Sequence, residues 1–397
     1  MTLKTTRRSV VLGMAGTVAA AGLARAQAPA PLPPLPRSPV SINVIDIAGN
    51  LALTQPALEK YRADKPNLVS RITFTKAPAP ELAGKIRAQQ QAGRSDIDLV
   101  LTGIDGMAAG IEQQLYIPTL GYVTEKIPDL MNRYLPGAQK MQGMAAGQGV
   151  VVVYTPSGPV IEYNPAKVKT VPKTPADLLA WAKANPNKFI YARPANSGPA
   201  RIFIMGLPYL LGDSNPQDPI RGWDKTWAYL KELNQYVEYY PAGTGATMKE
   251  FGEGSRDMTA SMFGWDINPR VLGTVPKEME VFMFDNTTFV LDAHYMAIPK
   301  GVPAEKVAVL VDLMTYMLQP AAQAYAYDMG YFYPGPAIKD VPLSMAPKES
   351  QDALKEFGRP QYDKWIAERP SELPLGATQL VEMFRKWDTD IGAAKMK

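Results

Sequence analysis

Cysteine is absent and histidine occurs once, at position 294. The first absence excludes a disulfide framework, a thiol nucleophile and lipid attachment through cysteine. Together the two leave no soft-ligand cluster for a zinc site. No GxSxG, HExxH or SxxK signature is present, and no GxxxxGK[ST] loop, so neither familiar hydrolase chemistry nor nucleotide hydrolysis has a local motif. No internal repeat is visible, which argues against a solenoid scaffold or adhesion array. His294 lies in an apolar, strand-like run, where a packed neutral imidazole is expected. No metal and no cofactor are expected.

Excess positive charge is missing too, once the chain is divided. The whole sequence has 42 Lys+Arg against 38 Asp+Glu, but Lys4, Arg7, Arg8 and Arg25 supply that entire difference. Residues 27–397 therefore hold 38 of each sign (42 less 4 against 38), and a nucleic-acid partner is not expected. The first 26 residues read as an export signal. Arg7-Arg8 precedes an apolar run from Val10 to Leu23, and Ala24-Arg25-Ala26 fits cleavage near Ala26. The run is short and broken by Gly13, Gly16 and Gly22, so it suits a bilayer span poorly. No other apolar run approaches spanning length. The expected location is the periplasm. Residues 27–39, rich in proline, read as an extended linker.

What is present is an alternation of strand and helix signals. "VSINVID" reads as a buried strand followed by a Gly49-Asn50 turn, and a helix with Pro56 in its first turn follows. "SRITFTK" and "DIDLVLTG" are further strands, separated by a helix closing on Gly93. "TPADLLAWAKANP" is a helix with Thr174 as N-cap, Pro175 first and Asp177 in its first turn. This alternation implies parallel sheets covered by helices on both faces. The expected fold class is α/β, with two doubly wound lobes joined by a hinge. One lobe takes residues 40–155 and 290–397, and the other, residues 156–289, is inserted between them. Ligands of such folds lie in the crevice at the carboxyl ends of the strands.

Several stretches resemble the extracellular solute-binding proteins, family 1, of ABC transporters, which have the type II periplasmic-binding-protein fold. The matching pieces are "RAQQQAGRSDIDLVLTGIDGMAAGIEQQLYIPT" (87–119), "VIEYNPAKVKTVPKTPADLLAWAKANPNKFIYARP" (160–194) and "HYMAIPKGVPAEKVAVLVDLMTYMLQPAAQAYAYDMGYFYP" (294–334). They resemble the group of polyamine, iron and thiamine binders, and most of all a thiamine-type subgroup. The resemblance implies a monomeric receptor whose two lobes close on a small-molecule ligand. It also implies docking on a membrane ABC permease driven by a separate ATPase subunit, and no covalent chemistry by this chain.

Candidate ligand residues follow from strand ends and helix starts. Gly49 and Asn50 end the first strand, and Thr102, Gly103 and Asp105 end another. "YARPANSGPARIF" runs from a strand into a helix, so Ser197 and Gly198 offer unpaired amides to an anion, helped by Arg193 or Arg201; plain capping by Ser197 is the simpler alternative. "FGWDIN" pairs Trp265 with Asp266, an indole face and a carboxylate suited to an amine. Asp292 and Tyr295 sit at the return to the first lobe, where one is expected to face the cleft and the other to pack, and Tyr331 follows in "YDMGYFYPG". Tyr239-Tyr240 are the residue type that holds iron in this group, yet they read as a strand end. The favoured ligand is a small polar amine or zwitterion. The alternatives are a carboxylate or phosphonate anion and, from another class, a secreted carboxylate-dependent hydrolase, which needs no local motif.

Overall fold

The computed structural model describes residues 31–77, 79–393 and 395. The export-signal reading of residues 1–26 lies outside them. Residues 31–39 carry no regular secondary structure. No helix among the described residues is long and apolar enough to cross a membrane.

The strands form two sheets. The first holds β1 (Val40–Asp46), β2 (Val69–Lys76), β3 (Leu99–Thr102), β4 (Val150–Gly158), β9 (Phe289–Ala297) and β10 (Ser371–Glu372). The second has β5 (Val160–Tyr163), β6 (Phe189–Ile190), β7 (Met258–Ser261) and β8 (Glu280–Phe282) in the order β6-β7-β5-β8. The chain leaves the first sheet in β4 and returns to it in β9.

The sheets are mixed rather than parallel. β1 pairs in parallel with β2 and β3, as the alternation predicts, but β9 runs antiparallel to both β3 and β4. The reason is topological. One strand carries the chain away and its neighbour carries it back, so the two crossing strands must oppose each other. Both are buried along their whole length, the polar side chains of Thr155, Ser157, Asp292 and His294 included. β5 is antiparallel to β7 and β8.

The first helix begins at Leu51, so Pro56 falls inside it rather than in its first turn. Asp46 causes the early start. Its carboxylate accepts hydrogen bonds from the amides of Ala48, Asn50 and Leu51, each at 3.0 Å. It thereby satisfies donors that a helix start leaves unpaired. Thr174 caps the Pro175–Ala184 helix, as the sequence predicts, and Asp177 reciprocates to close a capping box.

The carboxyl-terminal stretch adds β10 to the first sheet and also packs beside the second. Arg359 and Tyr362 bond to Asp266, and the Tyr362 ring lies 4.4 Å from that of Phe263. Trp387, fully buried, donates to the Tyr191 hydroxyl and packs on Tyr240 at 4.8 Å. The Tyr240 amide in turn donates to the carbonyl of Lys395. A buried carboxylate and a buried indole find their partners beside the second sheet, and the tail follows them there.

Candidate functional site

A cavity of about 390 Å³ opens between the two sheets. From the first come the ends of β1 and β3, through Ile47, Ala48, Gly103 and Asp105. β9 adds Asp292 and His294. From the second side come the 195–198 turn, Arg201, and Thr244-Gly245 at another helix start. Met262 and Trp265 follow β7, and Tyr331-Phe332 close the remaining wall.

Arg201 is the centre of charge. It projects from the Gly198–Leu211 helix, its side chain 10 % exposed, and reaches Asp292 at 3.3 Å and Asp105 at 3.7 Å. One guanidinium thus links its own helix to β9 of the first sheet and to the Ile104–Glu112 helix that follows β3. Asp46 lies behind the β1 end, already engaged by three amides. Burial first holds the His294 pKa below its ordinary value, although Asp292, Asp46 and Asp105 favour a proton; Arg201 disfavours one. Tyr331 is pushed up to about 12, by burial first and then by Asp46 and Asp328.

Opposite the acids, two helices start at the cavity. Ser197 caps the Gly198–Leu211 helix by accepting from the Ala200 amide at 3.3 Å. Its hydroxyl oxygen also accepts from the Thr244 hydroxyl at 2.8 Å, which ties the two helix starts together. Gly243, before the Thr244–Gly252 helix, has no side chain to cap it. Ser197→Ala is expected to lower stability by about 1 kcal/mol. The check is a lower urea midpoint at an unchanged denaturant slope.

Of the sequence candidates, the cavity gathers Gly103, Asp105, Ser197, Gly198, Arg201, Trp265, Asp292 and Tyr331. Gly49 does not line it but supports it. At φ +74°, a Cβ there would stand 2.6 Å from the Tyr331 hydroxyl, so glycine lets that ring approach. Asn50 is wholly buried beside it, and Thr102 turns its hydroxyl onto the Gly103 carbonyl. Arg193 lies outside the lining. Its charge acts on Asp388 of the tail, whose carboxyl is raised by burial and partly offset by Arg193.

Two expectations need correction on the geometry. Asp266 is fully buried and points away from the cavity, where Arg359 and Tyr362 hold its carboxylate at 2.9 and 2.6 Å. Trp265 therefore faces the cavity without the acid next to it in sequence. Tyr295 is also fully buried, and its hydroxyl donates to the Met141 carbonyl. The tyrosine pair lies elsewhere: Tyr240 is buried against Tyr191 and Trp387, and Tyr239 bonds to Glu250.

His294, Thr244, Met262 and Phe332 were not among the candidates. For His294 a signal existed. Alternate strand residues share a face, so Asp292 and His294 point together and Tyr295 points the other way. Asp46 was legible as an acid ending an apolar strand just before a helix.

Residues 57–355 match the family model for bacterial extracellular solute-binding proteins, and the chain belongs to that family. Its members bind solutes and are not enzymes. No curated protein matches the chain. Solved structures share its two-lobed periplasmic-binding fold. The Atu4243-GABA receptor is 17 % identical over 88 % of this chain and 97 % of its own, with a TM-score of 0.64. A periplasmic thiamin binding protein is 14 % identical over 92 % of this chain and 100 % of its own, at 0.62. A spermidine/putrescine substrate-binding protein from Streptococcus pneumoniae is 13 % identical over 87 % and 99 %, at 0.58.

Proposed function

We propose that this protein is the receptor of an ABC importer for a small amine-bearing solute, a zwitterion first. It takes the solute into the cleft as a monomer and passes it to a membrane permease powered by a separate ATPase subunit. The lobes, residues 40–155 with 290–397 and residues 156–289, close by bending at the two crossings. One observation carries the ligand reading. A single guanidinium stands among the carboxylates of Asp105 and Asp292 beside the Trp265 and Tyr331 rings, and two helix starts face them. The acids and aromatic faces suit an ammonium. The amides of Gly198 and Gly245, with the Ser197 hydroxyl and Arg201, suit an anionic end.

The cation site differs from the one expected on sequence grounds, because Asp105 and Asp292 replace Asp266 as its acids. A receptor for a plain carboxylate or phosphonate is the second reading, favoured by the paired helix starts. The acids around Arg201 count against it. Structural relatives described as receptors for GABA, thiamin and spermidine/putrescine bind amine-bearing solutes, in line with the first reading.

A thermal-shift panel tests this, with 4-aminobutyrate, putrescine, spermidine, thiamine, butyrate, a phosphonate and simple sugars. A ligand at a hundredfold its dissociation constant should add about 2.7 kcal/mol to stability. The expected responders are amine-bearing compounds, 4-aminobutyrate type first. A response to sugars or plain anions alone would overturn the ligand class.

A further inference from the structure

The only histidine of the chain stands on the cleft wall. His294 is 4 % exposed, its ring centroid lies 4.6 Å from that of Phe332, and its Nδ1 has no hydrogen-bond partner among the described residues. Charged groups face it from several elements. Asp292 comes from its own strand, Asp46 from β1, Asp105 from the Ile104–Glu112 helix and Arg201 from the Gly198–Leu211 helix. β4 sets aliphatic Val153 opposite it in register, and Tyr331 joins Phe332 on the adjoining wall. Burial is the largest influence and lowers the ring's hold on a proton, while the carboxylates of Asp292, Asp46 and Asp105 favour one.

We propose that His294 is a specificity-determining residue that makes ligand capture proton-linked, admitting a ligand cation only while its imidazole is neutral. The inference rests on the amine-bearing ligand proposed above. An imidazolium and a ligand ammonium draw on the same cleft carboxylates of Asp105 and Asp292, so either one weakens the hold on the other. A neutral ring also offers one nitrogen as acceptor to an ammonium, whereas a protonated ring offers only donors. Binding a cation therefore expels a proton, and a proton expels the cation. Affinity for an amine falls on acidification, by up to about tenfold per pH unit once the ring protonates in the free receptor. A ligand that presents only an anion to the ring shows the opposite slope.

One imidazole gives one Hε1 resonance, so the untagged protein can be titrated by NMR without assignment. The titration runs from about pH 8 to 4.5, spanning the ordinary histidine range. It is made on the free protein and with the tightest binder among 4-aminobutyrate, putrescine, spermidine and thiamine. Calorimetry over the same range gives dissociation constants for wild type and His294→Gln. The bound amine is expected to lower the ring's midpoint. The wild-type affinity ratio across the range is expected to be about tenfold or more, and to shrink below about twofold in His294→Gln. A flat wild-type profile, an equal slope in both proteins, or a midpoint raised by the amine would overturn the proposal. If His294→Gln does not bind, the wild-type midpoint decides. Capture of plain anions alone marks a different failure, that of the amine reading itself.

Discussion

Asp266→Ala is expected to destabilise the protein by about 3–5 kcal/mol. Chemical unfolding would show this as a large drop in midpoint. The acid is fully buried between Arg359 Nε at 2.9 Å, Arg270 at 3.5 Å and the Tyr362 hydroxyl at 2.6 Å. Both guanidiniums are themselves buried, with side chains 4 and 7 % exposed. Arg359 also reaches Glu280 at 3.0 Å, but that carboxylate is 47 % exposed and cannot replace a buried partner. Removal of Asp266 thus strands two cations, and the cost comes mainly from what is left unpaired. Glu162 limits the damage. It is wholly buried with neither carboxylate oxygen bonded, and its pKa is pushed well up, by burial first and then by Asp266. Without Asp266 the two arginines favour its ionised form. Asp266→Ala with Glu162→Gln should therefore cost more than the two single changes added together, which a double-mutant cycle would measure.

This cluster also shows where the sequence misleads. "FGWDIN" places an indole and a carboxylate side by side, and adjacency reads as cooperation. The turn after β7 sends Trp265 into the cleft and Asp266 into the interior. Gly264 makes the turn possible: at φ +103° its missing Cβ would otherwise lie 2.4 Å from the Tyr331 carbonyl. The partners that settle the role of Asp266, Arg359 and Tyr362, lie some ninety residues away. Local spacing cannot reveal such pairs. Features governed by neighbours in sequence were legible: the Thr174 cap, the Ser197 cap, and the alternation of β1, β2 and β3 with the helices between them. The period-two pattern of β9 was legible as well, and it separates cleft-facing Asp292 and His294 from packed Tyr295. The mixed sheet was not, since parallel and antiparallel pairing depend on where the chain returns. The course of the tail was hidden for the same reason. Trp387 meets Tyr191 and Tyr240 only in three dimensions.

Arg201→Met is expected to weaken zwitterion binding by roughly 10- to 150-fold, the worth of a charge-assisted hydrogen bond of about 1.5–3 kcal/mol. Calorimetry with 4-aminobutyrate and its amine-only and carboxylate-only analogues would check it. Methionine keeps the length and apolar stem of the side chain, so the change removes chiefly charge and donors. The carboxylate-only analogue should lose most, because Arg201 is the cation on the cavity wall. The amine-only analogue should lose least, since Asp105 and Asp292 no longer share their charge with the protein. Proton binding changes with it. In the wild type Arg201 opposes a proton on His294, while Asp292, Asp46 and Asp105 favour one. The folded-state pKa lies below the ordinary value of 6.5, so the unfolded chain binds the extra proton first as pH falls. This stability contribution is present above that value and declines below it. Without the guanidinium the imidazole pKa rises, and this decline should shrink. The variant is then less acid-sensitive at His294 while binding its zwitterion less tightly. Simple loss of packing predicts no such opposition between the two readouts. It follows only if Arg201 acts as the cation that stands in for the ligand's own charge among the cleft carboxylates.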